Sequence, residues 1–210
     1  MPSVKPGNGS NLVWSHGLVD RADRARLNGH HSVVIWLTGF SGAGKSTIAH
    51  AVEKALHDRA WRCFVLDGDN VRHGLCGDLG FTPAERSENL RRVAETARLF
   101  VEAGSVVLAA FISPMRSDRE HVRQIVGPEN FIEVFVDCPV EVCEQRDIKG
   151  MYRRARAGEL AEFTGISAPY EVPLAPTLVL RTHALTLEAC AQQIIELIEP
   201  ALVLDKDAVK

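Results

Sequence analysis

No apolar run in the 210-residue sequence approaches the roughly 20 residues that a membrane-crossing helix needs. Nor does the N-terminus carry the charged-then-apolar layout of a secretion signal. A surplus of one charge sign is also missing: 24 basic against 27 acidic residues leave a net charge of −3. That argues against a general nucleic-acid or anionic-membrane binder, so any anion site has to be local. The five cysteines (Cys63, Cys76, Cys138, Cys143 and Cys190) are odd in number and contain no C-x-x-C pair. A disulfide framework and a zinc site are thereby disfavoured, and free thiols in a reducing cytoplasm are expected. No internal repeat or low-complexity tract interrupts the chain.

What is present is the composition of one well-cored domain, with 46% hydrophobic and 24% charged residues. Residues 1–10 read as a flexible terminus, 11–31 as a lead-in with a short charged helix in "DRADRARLNG", and 201–210 as a tail. Between them, residues 32–200 form a single domain in which strands and helices alternate. Strands are expected at 33–38, 63–67, 105–112, 131–137 and 177–182. Helices are expected at 45–59, 82–104, 117–126, 139–146 and 186–200, the last ended by Pro200. Thr82 serves as N-cap of the long helix, Pro83 opens its first turn and Gly104 closes it. Residues 147–173 are charged and punctuated by Gly and Pro, without a long apolar element. The alternation predicts an α/β fold, a parallel sheet with helices on both faces. Ligands in such folds gather beyond the carboxyl ends of the strands.

"GFSGAGKS" (39–46) leaves the first strand and opens a helix, the context that G-x-x-x-x-G-K-[ST] requires. Its backbone N–H groups would cradle phosphate oxygens, with the helix N-terminus behind them. The nucleotide contacts therefore fall on Gly39, Phe40, Ser41, Gly42, Ala43, Gly44, Lys45, Ser46 and Thr47. Lys45 is placed to reach the β- and γ-phosphates, and the Ser46 hydroxyl to bind Mg²⁺. This is a nucleoside triphosphate site. Asp137 ends a strand but is followed by Cys138 and Pro139 rather than an acid, so it reads as structural. There is no "NKxD" and no "DxxG" switch placed after the third strand, which ranks a small-molecule kinase above a switch or motor.

"VLDGDNVRHGL" (65–75) ends a strand on Asp67 and Asp69 and follows them with Arg72. One carboxylate can hold the metal, and the other can orient or deprotonate an acceptor hydroxyl. Ser46 and Asp69 are the metal candidates, with the nearer of the two aspartates left open; both carboxylates are candidate catalytic groups beside Lys45. Arg72 implies that the acceptor carries a phosphate or sulfate of its own. Further along, Phe81, Arg86 and Asn89 could grip a phosphate, a ribose and a base from one helix face. Ser113 leaves the third strand where it could meet substrate or become phosphorylated.

Together, "GFSGAGKS", "LDGDNVRHGL", "DLGFTPAERSENLRR", "FISPMRSDR" and "DIKGMYRRARAGELAEFTGISAPYE" resemble the adenylylsulfate kinase (APS kinase) family over about residues 11 to 200. The resemblance implies a P-loop kinase fold with a parallel five-stranded sheet, a mobile lid at about 147–165 and, usually, a homodimer. It implies Mg²⁺-dependent transfer of the γ-phosphoryl of ATP to the 3′-hydroxyl of adenosine 5′-phosphosulfate (APS), giving PAPS for sulfate assimilation. Substrate contacts would fall on Arg72, Phe81, Arg86, Asn89, Ile112, Ser113, Lys149 and Phe163. Phe81 and Phe163 would sandwich the APS adenine, and Arg72, Arg86 and Asn89 would hold its phosphosulfate. Arg146 would stack on the ATP adenine, and Ser113 would be the phosphoserine position. Tyr152, Arg153 and Arg154 are lid residues without an assigned role. A separate ATP sulfurylase would supply APS, since the chain has no room for that domain. Two other readings stay open: a P-loop kinase of another metabolite or nucleoside, and a regulatory ATP-binding module without turnover.

Overall fold

The computed structural model describes residues 13, 15 and 17–204. The terminus at 1–10, part of the lead-in and the tail beyond residue 204 lie outside the described residues. Strands β1 (Val34–Thr38), β2 (Cys63–Asp67), β3 (Val106–Ala110), β4 (Phe131–Asp137) and β5 (Leu178–Arg181) form one sheet in the order β2-β3-β1-β4-β5. Every pairing is parallel. The helices are α1 (Arg21–Asn28), α2 (Lys45–His57), α3 (Gly68–Val71), α4 (Pro83–Glu102), α5 (Arg116–Val126), α6 (Val140–Arg146), α7 (Met151–Arg156) and α8 (Leu187–Leu202).

The central strand β1 is buried along its whole length because both faces are covered. Ile35 and Leu37 point to the side packed by Ile48, Val52 and Leu56 of α2 and Ile194, Ile198 and Leu202 of α8. Val34 and Trp36 point the other way, onto Leu90, Val93 and Ala97 of α4 and Val122 of α5. Each fully buried Leu or Ile contributes about 1.5–3 kcal/mol, so this two-sided core fixes the strand ends that carry the chemistry.

Helix α4 starts where expected. The Thr82 hydroxyl accepts from the Glu85 N–H at 3.4 Å, the Glu85 carboxylate accepts from the Thr82 N–H at 3.1 Å, and Pro83 follows. Helix α8 departs from expectation: Pro200 sits inside it rather than ending it. Proline forfeits one hydrogen bond near the helix end. The last turn persists because Leu202 is fully buried and its carbonyl accepts from the His31 N–H at 2.8 Å. The short helices α3 and α7 are the elements that apolar periodicity did not announce.

His30 ties this end of the molecule together. Its ring is fully buried, with Nδ1 at 2.6 Å from the His31 carbonyl and Nε2 accepting from the Arg62 N–H at 2.9 Å. Both bonds require the neutral ring protonated on Nδ1. Burial lowers its pKa below the ordinary 6.5, and the Arg62 and His31 charges lower it further, against the His31 carbonyl. The unfolded chain therefore binds more protons below about pH 6.5, and folding stability falls as pH drops through that value. Denaturant midpoints measured between about pH 7 and pH 5 should show this loss, and His30→Gln should flatten the profile.

Candidate active site

The carboxyl ends of the strands open into a cavity of about 630 Å³. On one wall is the loop between β1 and α2. Its curl depends on glycine: at Gly39 φ is +149°, and a Cβ there would lie 2.4 Å from the Val136 carbonyl oxygen. At Gly42 φ is +74°, and a Cβ would crowd the Cys143 carbonyl at 3.1 Å. Phe40 turns away from the cavity and packs on Tyr170, ring centroids 4.9 Å apart. Lys45 is buried and donates to the carbonyls of Gly39 and Phe40 at 2.8 and 2.7 Å. Burial lowers its pKa to about 8.

Asp67 closes β2 on the side of the sheet that faces α2. Val65 belongs to the α2 side of the core and Leu66 to the α4 side, so the strand's alternation returns Asp67 to α2. There the Ser46 hydroxyl donates to Asp67 Oδ2 at 2.6 Å. Burial resists ionisation of Asp67, but the Ser46 hydroxyl and the N–H groups of Asp69 and Asn70 outweigh it and hold the carboxyl below the usual carboxylate range. Asp69 is exposed and forms an ion pair with Lys149. The sequence left open which aspartate lies nearer Ser46; the carboxylate beside it is Asp67.

The opposite wall is built from α4, the end of β3 and the segment after α6. Arg72 donates to the carbonyls of Leu79 and Gly80 and lies 4.3 Å from the centre of the Phe81 ring. Arg86 donates to the carbonyls of Phe81 and Glu162 and to the Thr164 hydroxyl. Asn89 is buried on this wall and its Nδ2 has no hydrogen-bond partner. Ile112, Ser113, Lys149 and Phe163 also line the space. Ser113 adopts φ +38°, is buried, and its hydroxyl lies between Trp36 Nε1 at 3.1 Å and Thr38 Oγ1 at 3.0 Å.

Of the residues singled out from the sequence, Ser41, Gly42, Gly44, Lys45, Ser46 and Thr47 share this cavity with the two aspartates and all eight acceptor-side candidates. Gly39, Phe40 and Ala43 support the loop from outside it. Arg146 also lies outside: its guanidinium donates to the carbonyls of Thr182 at 2.8 Å and Gly42 at 3.4 Å. Asp147, Tyr152 and Thr164 line the cavity and were not assigned from the sequence. The five cysteines are free thiols; burial pushes Cys143 up to about 12, so it stays protonated near neutral pH.

Ser46 and Asp67 offer a hydroxyl and a carboxylate, hard oxygen donors suited to Mg²⁺. Among the described residues no group of three or more His, Cys, Asp or Glu could hold a metal unaided.

A family model described as adenylylsulphate kinase matches residues 31–181. An adenylyl-sulfate kinase from Acaryochloris marina is 54% identical over 190 residues, covering 90% of this chain and 93% of that one. One from Geotalea daltonii is 50% identical over 200 residues, covering 95% and 98%. Among solved structures, the Mycobacterium tuberculosis APS kinase in complex with AMPPNP and APS aligns with a TM-score of 0.78 at 44% identity, over 80% of this chain and 98% of that one.

Proposed function

The chain belongs to the adenylylsulfate kinase family, and from that premise we infer that it phosphorylates the 3′-hydroxyl of APS with the γ-phosphoryl group of ATP, yielding PAPS and ADP. One observation carries the reading: a single cavity joins the phosphate loop to an exposed carboxylate and to two guanidinium groups, the Asn89 side chain and two phenyl rings. ATP lies along 39–47, its β- and γ-phosphates drawing Lys45 off the loop carbonyls. Arg146, at the mouth of the loop, is assigned to the ATP base.

Ser46 and Asp67 would hold Mg²⁺, which when bound neutralises charge on the transferring phosphoryl group. The hydrogen bond between Ser46 and Asp67 favours Asp67 over Asp69 as the carboxylate partner of Ser46. Asp69 is left for the acceptor. Its carboxylate orients the 3′-hydroxyl and accepts its proton as the ribose oxygen bonds the γ-phosphorus and the bond to ADP breaks. Lys149, freed from Asp69, joins Arg72, Arg86 and Asn89 on the phosphosulfate. Phe81 and Phe163 flank the APS adenine, with Ile112 and Ser113 beneath. Closure of residues 147–165 excludes water and limits ATP hydrolysis.

Ser113 serves the site by hydrogen bonding and needs no covalent step. Ser113→Ala is expected to keep transfer within about tenfold of wild type and to cost roughly 1 kcal/mol of stability from the lost bonds. Turnover that vanished while the variant stayed folded would establish a phosphoenzyme route.

The test of the function is ADP release measured on adding APS, gluconate, shikimate, adenosine or AMP. APS alone should give sustained turnover; preference for a neutral acceptor would favour the other-metabolite reading. No helix of the described residues is long and apolar enough to cross a membrane. A cytoplasmic homodimer supplied with APS by a separate ATP sulfurylase completes the proposal, and light scattering of the purified chain tests the dimer.

A further inference from the structure

Tyr152 touches both halves of the cavity. It lies in α7, 1% exposed, and its hydroxyl donates to the Ser41 carbonyl of the phosphate loop at 2.9 Å. Its ring meets Phe163 edge-on, centroids 5.0 Å apart with planes at 78°. Both ends are tied to neighbouring backbone. Asp147 accepts from the N–H groups of Tyr152 and Arg153 at 2.9 and 3.1 Å, fixing the start of α7. The Phe163 N–H donates to the Ser167 hydroxyl at 2.9 Å, and its carbonyl accepts from Ser167 and Ala168. Beside it, Gly165 packs so tightly on Phe40 that a Cβ would come within 2.9 Å of that ring.

We propose that Tyr152 is a positioning residue through which nucleotide in the phosphate loop and acceptor on Phe163 sense one another. The physical reason is continuity. A shift of the Ser41 peptide on nucleotide binding moves the hydroxyl bonded to it, and the rigid phenol passes that displacement to the Phe163 ring. Burial pushes the phenol above its ordinary pKa, so the hydroxyl keeps its proton and remains a donor. The inference rests on the assignment of Phe163 to the acceptor base.

The coupling is read by titrating APS into the full-length protein with and without saturating MgADP, and MgADP with and without APS. Linkage requires the two ratios to agree. Wild type is expected to show a ratio of about fivefold or more. Tyr152→Phe, which removes the hydroxyl alone, should bring the ratio to within about twofold of unity while the melting temperature holds. A merely structural tyrosine would lower stability and leave the ratio unchanged. Full coupling in Tyr152→Phe, or none in wild type, overturns the proposal. Phe163→Ala separates the underlying assignment: unchanged APS affinity in that variant removes the acceptor role of Phe163 and the proposal with it. If Tyr152→Phe unfolds, hydrogen exchange on wild type decides. MgADP alone should slow amides in 159–168 and APS alone those in 39–46; absence of both effects overturns the proposal.

Discussion

Asp69→Asn is expected to lower kcat by about 10²–10⁴-fold, the usual span for removing a group that accepts a proton in the transition state. ATP affinity should change little, because the carboxylate beside the phosphate loop is Asp67, bonded to Ser46 at 2.6 Å. Asp69 is exposed and faces Lys149 instead. Asparagine keeps the shape and removes the charge, so the fold is not at risk. Single-turnover rates with saturating ATP and APS, alongside calorimetric nucleotide affinity, check the prediction. A parallel loss of ATP binding would place Asp69 with the nucleotide and leave the acceptor without a base.

Lys45→Met should reduce kcat by roughly 10²–10³-fold, since in the proposed mechanism the ammonium leaves the loop carbonyls for charge that develops on the transferring phosphoryl group. Methionine suits the buried position and replaces the alkyl stem. The wild-type lysine also gives a proton-linked signature. Its pKa of about 8 in the free protein comes from burial, and phosphates alongside would raise it. Nucleotide binding at about pH 8.5 should then take up over half a proton, and at about pH 7 roughly a tenth. Calorimetry in buffers of different ionisation enthalpy measures this uptake, which Lys45→Met should abolish. Uptake that persisted in the variant would assign the proton to another group.

How much of this was legible beforehand depended on sequence distance. The phosphate loop, the Asp67–Asp69 turn and the capped start of α4 are local, each specified within about ten residues by glycine, cap and charge, and each stands where it was expected. The choice between the two aspartates was available too: counting alternate residues along β2 from Val65 would have selected Asp67. Other features needed contacts that spacing does not encode. Tyr152 reaches Ser41 across 111 positions. Arg86 reaches Glu162 and Thr164, 76 and 78 positions away. Pro200 misled because a local breaker lost to the burial of Leu202 beyond it. Helix α7 was hidden because half of its six residues are arginine, and it is held by Asp147 and by the burial of Tyr152 and Ala155 rather than by an apolar stripe.

The arginines that await the acceptor are not idle. Arg72 and Arg86 spend the ligand-free state bonded to backbone carbonyls of their own chain. An incoming anion must outbid those carbonyls, and a small tetrahedral ion brings only its charge to the contest. A nucleotide adds two aromatic faces and a ribose. If Arg72 and Arg86 hold the acceptor's anion as proposed, free sulfate and phosphate should compete poorly for the pocket, a selectivity obtained by keeping its cations engaged rather than by repelling the wrong guest.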